Sequence, residues 1–391
     1  MKSVVYLTDQ PFDGRNFDRF GIQSWIDRGW HVEVWDMTPL AYPHVWRNRI
    51  ESGLELKEHA CHFPMMSTAQ LEERLLERRQ AYCYVDFSAN TYHCARAKLH
   101  LSNVGAKRIT CCVSLIPEPE NPSMLSRLGT AVKKGPVDML KWLLNGCASR
   151  VVGCFSKADF VIVAGKNSIP LHSCGGRTEI LMAHAFDYDV CMRISKSAPA
   201  SPGKFAVFLD QDYCFHPDYL YDDSRPYATP DKYFPAVCKG LRAIAEALEV
   251  DLRVAGHPRS AYEQGSRGYF ESIPVERGNT AALVRDCEIV VGHCSAAIQL
   301  AVLFGKPVVF VTTDELASSP GGEFICRFAS ALGKAVINLD GELSSVNWEQ
   351  ELTIDWAKYA EYRNQYIKID GSPEVPLWEI VIDHIEKQRA A

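Results

Sequence analysis

Two doubly wound α/β domains of similar size are expected from three features of the chain. Apolar strands and amphipathic helices alternate from Val4 to Met182, the pattern of a parallel sheet covered by helices. The alternation stops at Ser195–Lys204, SKSAPASPGK, a small, polar, Pro- and Ser-rich stretch that reads as a linker. It restarts at Phe205 and continues to the end.

Length agrees, since 391 residues suit two or three domains at roughly 100–200 residues each. A net charge of -6 provides no global basic field for nucleic acid, so no nucleic-acid partner is expected. No window approaches the roughly 20 apolar residues needed to span a bilayer. The chain enters a strand at once, so no secretory signal is expected. The 14 cysteines are scattered, without a CxxC pair, and many lie in strand-like surroundings. They read as reduced thiols of a cytoplasmic protein.

In order, Val4–Leu7 is an apolar strand that runs into the polar loop Thr8–Arg15. A helix is expected over Asn16–Asp27, where Phe17, Phe20, Ile22, Trp25 and Ile26 form a stripe and Gly29 ends it. His31–Trp35 is the next strand. This opening has the shape of a nucleotide-binding βαβ half without a GxGxxG fingerprint, so NAD is not implied. A helix over Thr68–Gln80, a strand within Ala81–Phe87, a helix over Thr91–Ser102 and a strand at Arg108–Ser114 continue the rhythm. Strands near Ser156–Ala164 and Glu179–Met182 complete the domain.

The stretch 117–153 interrupts this rhythm. It begins with Pro117, Pro119 and Pro122, then carries Lys133, Lys134 and Lys141 beside Met139, Leu140, Trp142, Leu143 and Leu144. Basic residues among Trp and Leu fit the surface of an anionic membrane, here the inner face of the cytoplasmic membrane through 133–144. They fit equally a helix packed on its own domain or on a neighbouring subunit.

The second domain opens with strand Phe205–Leu209, followed by helix Asp231–Leu248, strand Asp251–Ala255 and helix Thr280–Asp286. Glu288–Val291, a polar turn at His293–Ser295, helix Ala296–Phe304 stopped by Gly305, and strand Val308–Val311 make a βαβ unit. Such a unit sets a helix N-terminus just past the first strand, where free N–H groups favour an anion. Ser295 can cap this helix or donate to a phosphate. Strand Ala335–Leu339 and helices over Trp356–Tyr366 and Pro376–Lys387 follow. The expected division is 1–195, linker 196–204, 205–375, and a final helix at 376–391 crossing back onto the first domain.

Three polar clusters follow strands of the second domain: Asp210-Gln211-Asp212, Gly256-His257-Pro258-Arg259 and Gly292-His293-Cys294-Ser295. Ligands favour the crevice at such strand ends. His257 and Arg259 supply donors for a phosphate or carboxylate, and Ser295 adds another. Asp210 can serve as nucleophile or general base, or only cap its turn. His293 suits either ligand contact or structure, and Tyr233 either stacking on a base or core packing. In the first domain Arg15, Asn16 and Arg19 would face an acceptor, and Glu118 could act as an acid or base. The spacing matches no zinc signature, and neither metal nor cofactor is expected.

At these residues the chain resembles GT-B glycosyltransferases. More narrowly, it is similar to bacterial transferases of CMP-activated 2-keto sugars: the Kdo transferases and the sialyltransferase and polysialyltransferase group. The His257-Pro258 pair and the Ser295 turn with AVLFGKPVVF carry the likeness. The sialyltransferase acidic motif and paired Ser-Ser/Thr are absent, since Asp210-Gln211-Asp212 lacks the glycine and Ala296 follows Ser295. The LDQ segment looks closer to the retaining β-Kdo transferases. That resemblance implies two Rossmann-like domains facing a cleft and a CMP-sugar donor held by His257, Pro258, Arg259, His293, Cys294, Ser295, Gln211 and Tyr233. It further implies Asp210 as nucleophile and a saccharide or lipid-linked saccharide acceptor in lipopolysaccharide or capsule assembly. Two alternatives stand beside it: a GT-B enzyme using a UDP-sugar or CDP-alcohol, and a non-catalytic nucleotide-binding subunit.

Overall fold

A computed structural model describes residues 2–51, 59–77, 81–119, 135–170, 174–196, 204–222, 224–260 and 268–390. Lys133, Lys134, Pro122, the end of the Thr68–Gln80 helix and most of the linker lie outside the described residues.

The first lobe is a seven-stranded sheet in the order β3-β2-β1-β4-β5-β6-β7. Its strands are β1 (Ser3–Thr8), β2 (His31–Asp36), β3 (His62–Pro64), β4 (Cys83–Phe87), β5 (Lys107–Cys112), β6 (Phe160–Val163) and β7 (Glu179–Met182). The second lobe is a six-stranded sheet in the order β10-β9-β8-β11-β12-β13. It comprises β8 (Phe205–Leu209), β9 (Asp251–Ala255), β10 (Val275–Glu276), β11 (Ile289–Gly292), β12 (Val308–Thr312) and β13 (Val336–Asn338). Every pairing among them is parallel. Helices on both faces explain why the central strands β1, β8 and β12 are apolar almost throughout and wholly buried. In both sheets the order reverses beside the first strand, at β1/β4 and at β8/β11, and these switch points open a crevice at the strand ends.

The single helix expected over Asn16–Asp27 is two, Gly14–Arg19 and Ile22–Asp27, broken at Gly21. Gly21 has φ 58°, and a Cβ there would lie 2.2 Å from the Trp378 ring. The break makes room for the C-terminal helix Leu377–Ala390. Trp378 on that helix is 3 % exposed and donates from Nε1 to Arg19 O at 2.6 Å. Glu386 pairs with Lys2 at 2.6 Å. The chain thus leaves the second lobe and ends on the first. The crossing segment Arg363–Ile367 presses on Gly165, where a Cβ would lie 2.1 Å from Gln365 O. All 14 cysteines are free thiols.

Candidate active site in the crevice between the lobes

Asp210 directly follows β8 and is 4 % exposed. Its Oδ1 accepts from Asp212 N–H at 3.1 Å, closing a turn in which Asp212 takes φ 55°. Its Oδ2 accepts from His257 N–H at the long distance of 3.4 Å. The carboxylate therefore fastens the β8 loop to the β9 loop. Gln211 does the same toward β11, because its Oε1 accepts from Cys294 N–H at 2.7 Å. Cys294 itself is 6 % exposed against the Tyr213 hydroxyl, so its thiol faces inward. The three clusters read from the sequence thus form one joined edge.

Two residues of that reading point elsewhere. His293 is fully buried: Nδ1–H donates to Val311 O at 2.7 Å, and Nε2 accepts from the Tyr233 hydroxyl at 2.9 Å. Tyr233 is 1 % exposed. The pair ties the helix Pro230–Leu248 to β11 and β12 inside the lobe, so neither residue reaches a ligand in the crevice. Ser295 also differs from expectation. The helix begins at Ile298, and Ser295 Oγ accepts from Ala297 N–H at 3.3 Å, capping the preceding turn.

His257 is neutral. Burial, His216, Arg259 and Arg15 together push its imidazole down to about 2. Its Nδ1 accepts from Arg259 N–H at 3.4 Å, which leaves the ring proton on Nε2 as a donor. The His216 ring lies 4.7 Å away. Pro258, exposed beside it, shapes the turn that presents His257 and Arg259.

Across the crevice stand Arg15, Arg19 and Arg49 of the first lobe. Arg15, Asn16 and Arg49 line one recess with Arg259 and Tyr221 of the second. Arg259 pairs with Asp218 at 3.1 Å and Arg49 with Asp13 at 3.2 Å. Arg15 stays open to solvent, yet surrounding protein, Arg19 and Arg259 lower its guanidinium to about 10. Arg19 packs 4.5 Å from the Phe186 ring and donates to Ser114 Oγ at 3.0 Å. Asn16 lines the recess, but its side-chain N–H is spent on Pro11 O at 3.2 Å. The lobes meet beside this recess, where the Tyr42 and Tyr221 rings lie 4.9 Å apart.

Glu118 is not with this group. It lines a separate recess with Glu323, Arg327 and Tyr366, because the chain after β5 runs outward toward the helix Pro320–Ala331. Among the described residues no three His, Cys, Asp or Glu side chains group to hold a metal.

Three contributors escaped the sequence reading. Arg49 sits on the short helix Pro43–Glu51, in a stretch without a strand-end signal. Asp187, at the start of the helix Phe186–Ile194, faces Arg19 and Arg15, and burial raises its carboxyl. Asp9, 6 % exposed, accepts from Ala89 N–H at 2.9 Å across the first switch point. Burial pushes its carboxyl up to about 6. Its place directly after β1 was the available signal.

No protein-family model matches the chain, and no curated protein is significantly similar to it in sequence. Among solved structures, CalG4, the calicheamicin glycosyltransferase, superposes with a TM-score of 0.52 at 11 % identity, covering 100 % of this chain and 99 % of that one. A variant of the wall teichoic acid polymerase TagF superposes with a TM-score of 0.53 at 11 % identity, covering 99 % and 89 %. At such identities the likeness is one of fold. Two Rossmann-like lobes around a crevice make the class GT-B.

Proposed function

We propose that this chain is a glycosyltransferase that moves a 2-keto sugar acid, Kdo or a related nonulosonic acid, from its CMP donor to a saccharide acceptor. Lipopolysaccharide or capsule assembly is the setting this reading implies. The observation that carries it is the gathering of guanidinium groups from both lobes on one crevice: Arg15 and Arg19, expected from the sequence to face the acceptor, stand with Arg49 opposite Arg259 and are assigned here to the donor's anions. A CMP-activated sugar acid brings two anions close together, a phosphodiester and a carboxylate. Arginines bind both with paired N–H groups. His257 Nε2–H adds a neutral donor beside them. These groups would stabilise the departing CMP, which makes a metal unnecessary in this reading.

Asp210 remains the proposed nucleophile. Its Oδ2, which accepts from His257 N–H at 3.4 Å, is the oxygen proposed to attack the anomeric carbon. The glycosyl–enzyme ester would then be opened by the acceptor hydroxyl, and two displacements retain configuration. The fold shared with a glycosyltransferase and a teichoic acid polymerase supports the general class. The donor rests on the arginines.

Calorimetric titration with CMP, UDP, CDP and GDP tests the donor. CMP is expected to bind most tightly; preference for UDP or CDP would replace the donor with a UDP-sugar or CDP-alcohol. Turnover with CMP-Kdo in the presence of EDTA tests the metal-free reading. If every nucleotide binds but no donor turns over, the chain is a binding subunit.

A further inference from the structure

The helix Pro136–Phe155 stands on the first lobe with its apolar side outward. Its inner flank is marked by Val152, 1 % exposed, and by Ser156 just beyond its end. Ser156 Oγ meets the Tyr84 hydroxyl at 2.8 Å and Ser102 Oγ at 2.7 Å. The opposite flank carries Leu140, Leu143, Leu144, Val151 and Phe155 in one stripe at helical spacing. Their exposures are 57, 47, 49, 41 and 74 %. A surface helix of a globular domain normally turns such a stripe inward.

Two further observations concern the same side of the lobe. The strand register sets Ile180 beside Val161 and Met182 beside Val163, on the face of the first sheet that carries Tyr84. Ile180 and Met182 are 40 and 49 % exposed at the sheet edge. Charge adds the second. Lys141 and Arg150 lie about a quarter turn to either side of the stripe. The helix Pro136–Phe155 itself carries Lys141 and Arg150 against Asp138 alone, on a chain of net charge -6.

We propose that this face docks on the headgroup layer of an anionic lipid bilayer, with the helix lying in the plane of the interface. An outward apolar stripe flanked by Lys and Arg is what such a surface takes up. No described helix is long and apolar enough to cross a membrane, so this one lies on it. Charge argues against a second copy as the occupant: a two-fold contact would bring the same basic flanks together. The inference is independent of which donor the crevice takes.

Co-sedimentation of the full chain with vesicles tests it, comparing phosphatidylcholine alone with a mixture containing one part phosphatidylglycerol to two of phosphatidylcholine. Anionic vesicles should bind at least about tenfold more tightly, with the difference shrinking in high salt. Lys141→Gln with Arg150→Gln should weaken binding on the order of tenfold or more, since each basic residue contributes about fivefold. Leu144→Glu with Phe155→Glu should abolish it while leaving the melting temperature unchanged, because both side chains are exposed. The proposal falls if the wild-type chain stays in the supernatant with anionic vesicles, or if the Glu variant binds as well as wild type. It also falls if light scattering finds a dimer that the Glu variant splits.

Discussion

His293 provides a test of where the site ends and the core begins. The buried ring donates from Nδ1 to Val311 O and accepts at Nε2 from Tyr233, and burial holds its imidazole down to about 4 against an ordinary 6.5. A base depressed on folding binds fewer protons folded than unfolded between those two values. Its neutral form therefore contributes stability that is present above about 6.5 and lost as pH falls toward 4. At about pH 5 the unfolded ring is charged and the folded ring is largely neutral. The lag of about 1.5 pH units, at about 1.4 kcal/mol each, amounts to about 2 kcal/mol. Asp9 and His257 also change stability with pH, so the measurement must be a difference. His293→Gln keeps one hydrogen bond, loses ideal geometry and should cost about 1–3 kcal/mol near pH 7.5. It has no ring to protonate, so the gap between wild type and variant should narrow by about 2 kcal/mol between pH 7.5 and pH 5. Urea unfolding of both proteins at a series of pH values reads this directly. A gap that stays constant would mean a ring titrating as it does in water, and His293 would belong in the crevice after all.

The crevice itself makes further predictions. Arg15→Gln and Arg259→Gln should each weaken CMP binding by about 10- to 100-fold in calorimetry, the worth of a charge-assisted hydrogen bond, with little change in melting temperature. Glu118→Gln should leave kcat within about twofold, because its recess is separate; a large loss would bring Glu118 back into the chemistry. Asp210→Asn should lose turnover while still binding CMP, and retained turnover would remove the nucleophile from the scheme. Gly165→Ala should destabilise the chain by about 1–3 kcal/mol in thermal unfolding, since its Cβ has only 2.1 Å to Gln365 O.

Much of the architecture is written locally. The central strands are continuous apolar runs, the linker breaks composition sharply, and Gly305 takes the left-handed φ of 63° that ends its helix. What escaped is short or depends on distant partners. β3 and β10 are edge strands of three and two residues, too brief for a period to register. The break at Gly21 is required by Trp378, more than 350 residues away in the chain. Within Asn16–Asp27 the one local signal is Gly21 itself, and it is outweighed by the stripe through Phe20, Ile22 and Trp25, which reads as one helix.

The candidate site divides along the same line. Residue type and a place after a strand bring Asp210, Gln211, His257 and Cys294 to one edge, as the parallel register demands. Orientation is a separate matter. His293 and Cys294 are neighbours in the same turn as Ser295, yet His293 turns into the lobe because Val311 O and Tyr233 offer it two hydrogen bonds there. A neutral imidazole satisfied at both nitrogens is buried at little cost, whereas a guanidinium is buried only with a carboxylate partner, as Arg108 is with Asp86, and Arg15 stays open to the crevice. That difference separates the two kinds of polar residue at these strand ends. The arginines, with their five donors and fixed charge, collect where an anion can reach them, and the histidines that can be closed off become part of the frame. His257 falls between, its Nδ1 engaged and its Nε2–H still unspent, which is why it, and not His293, is the histidine to pair with a phosphate.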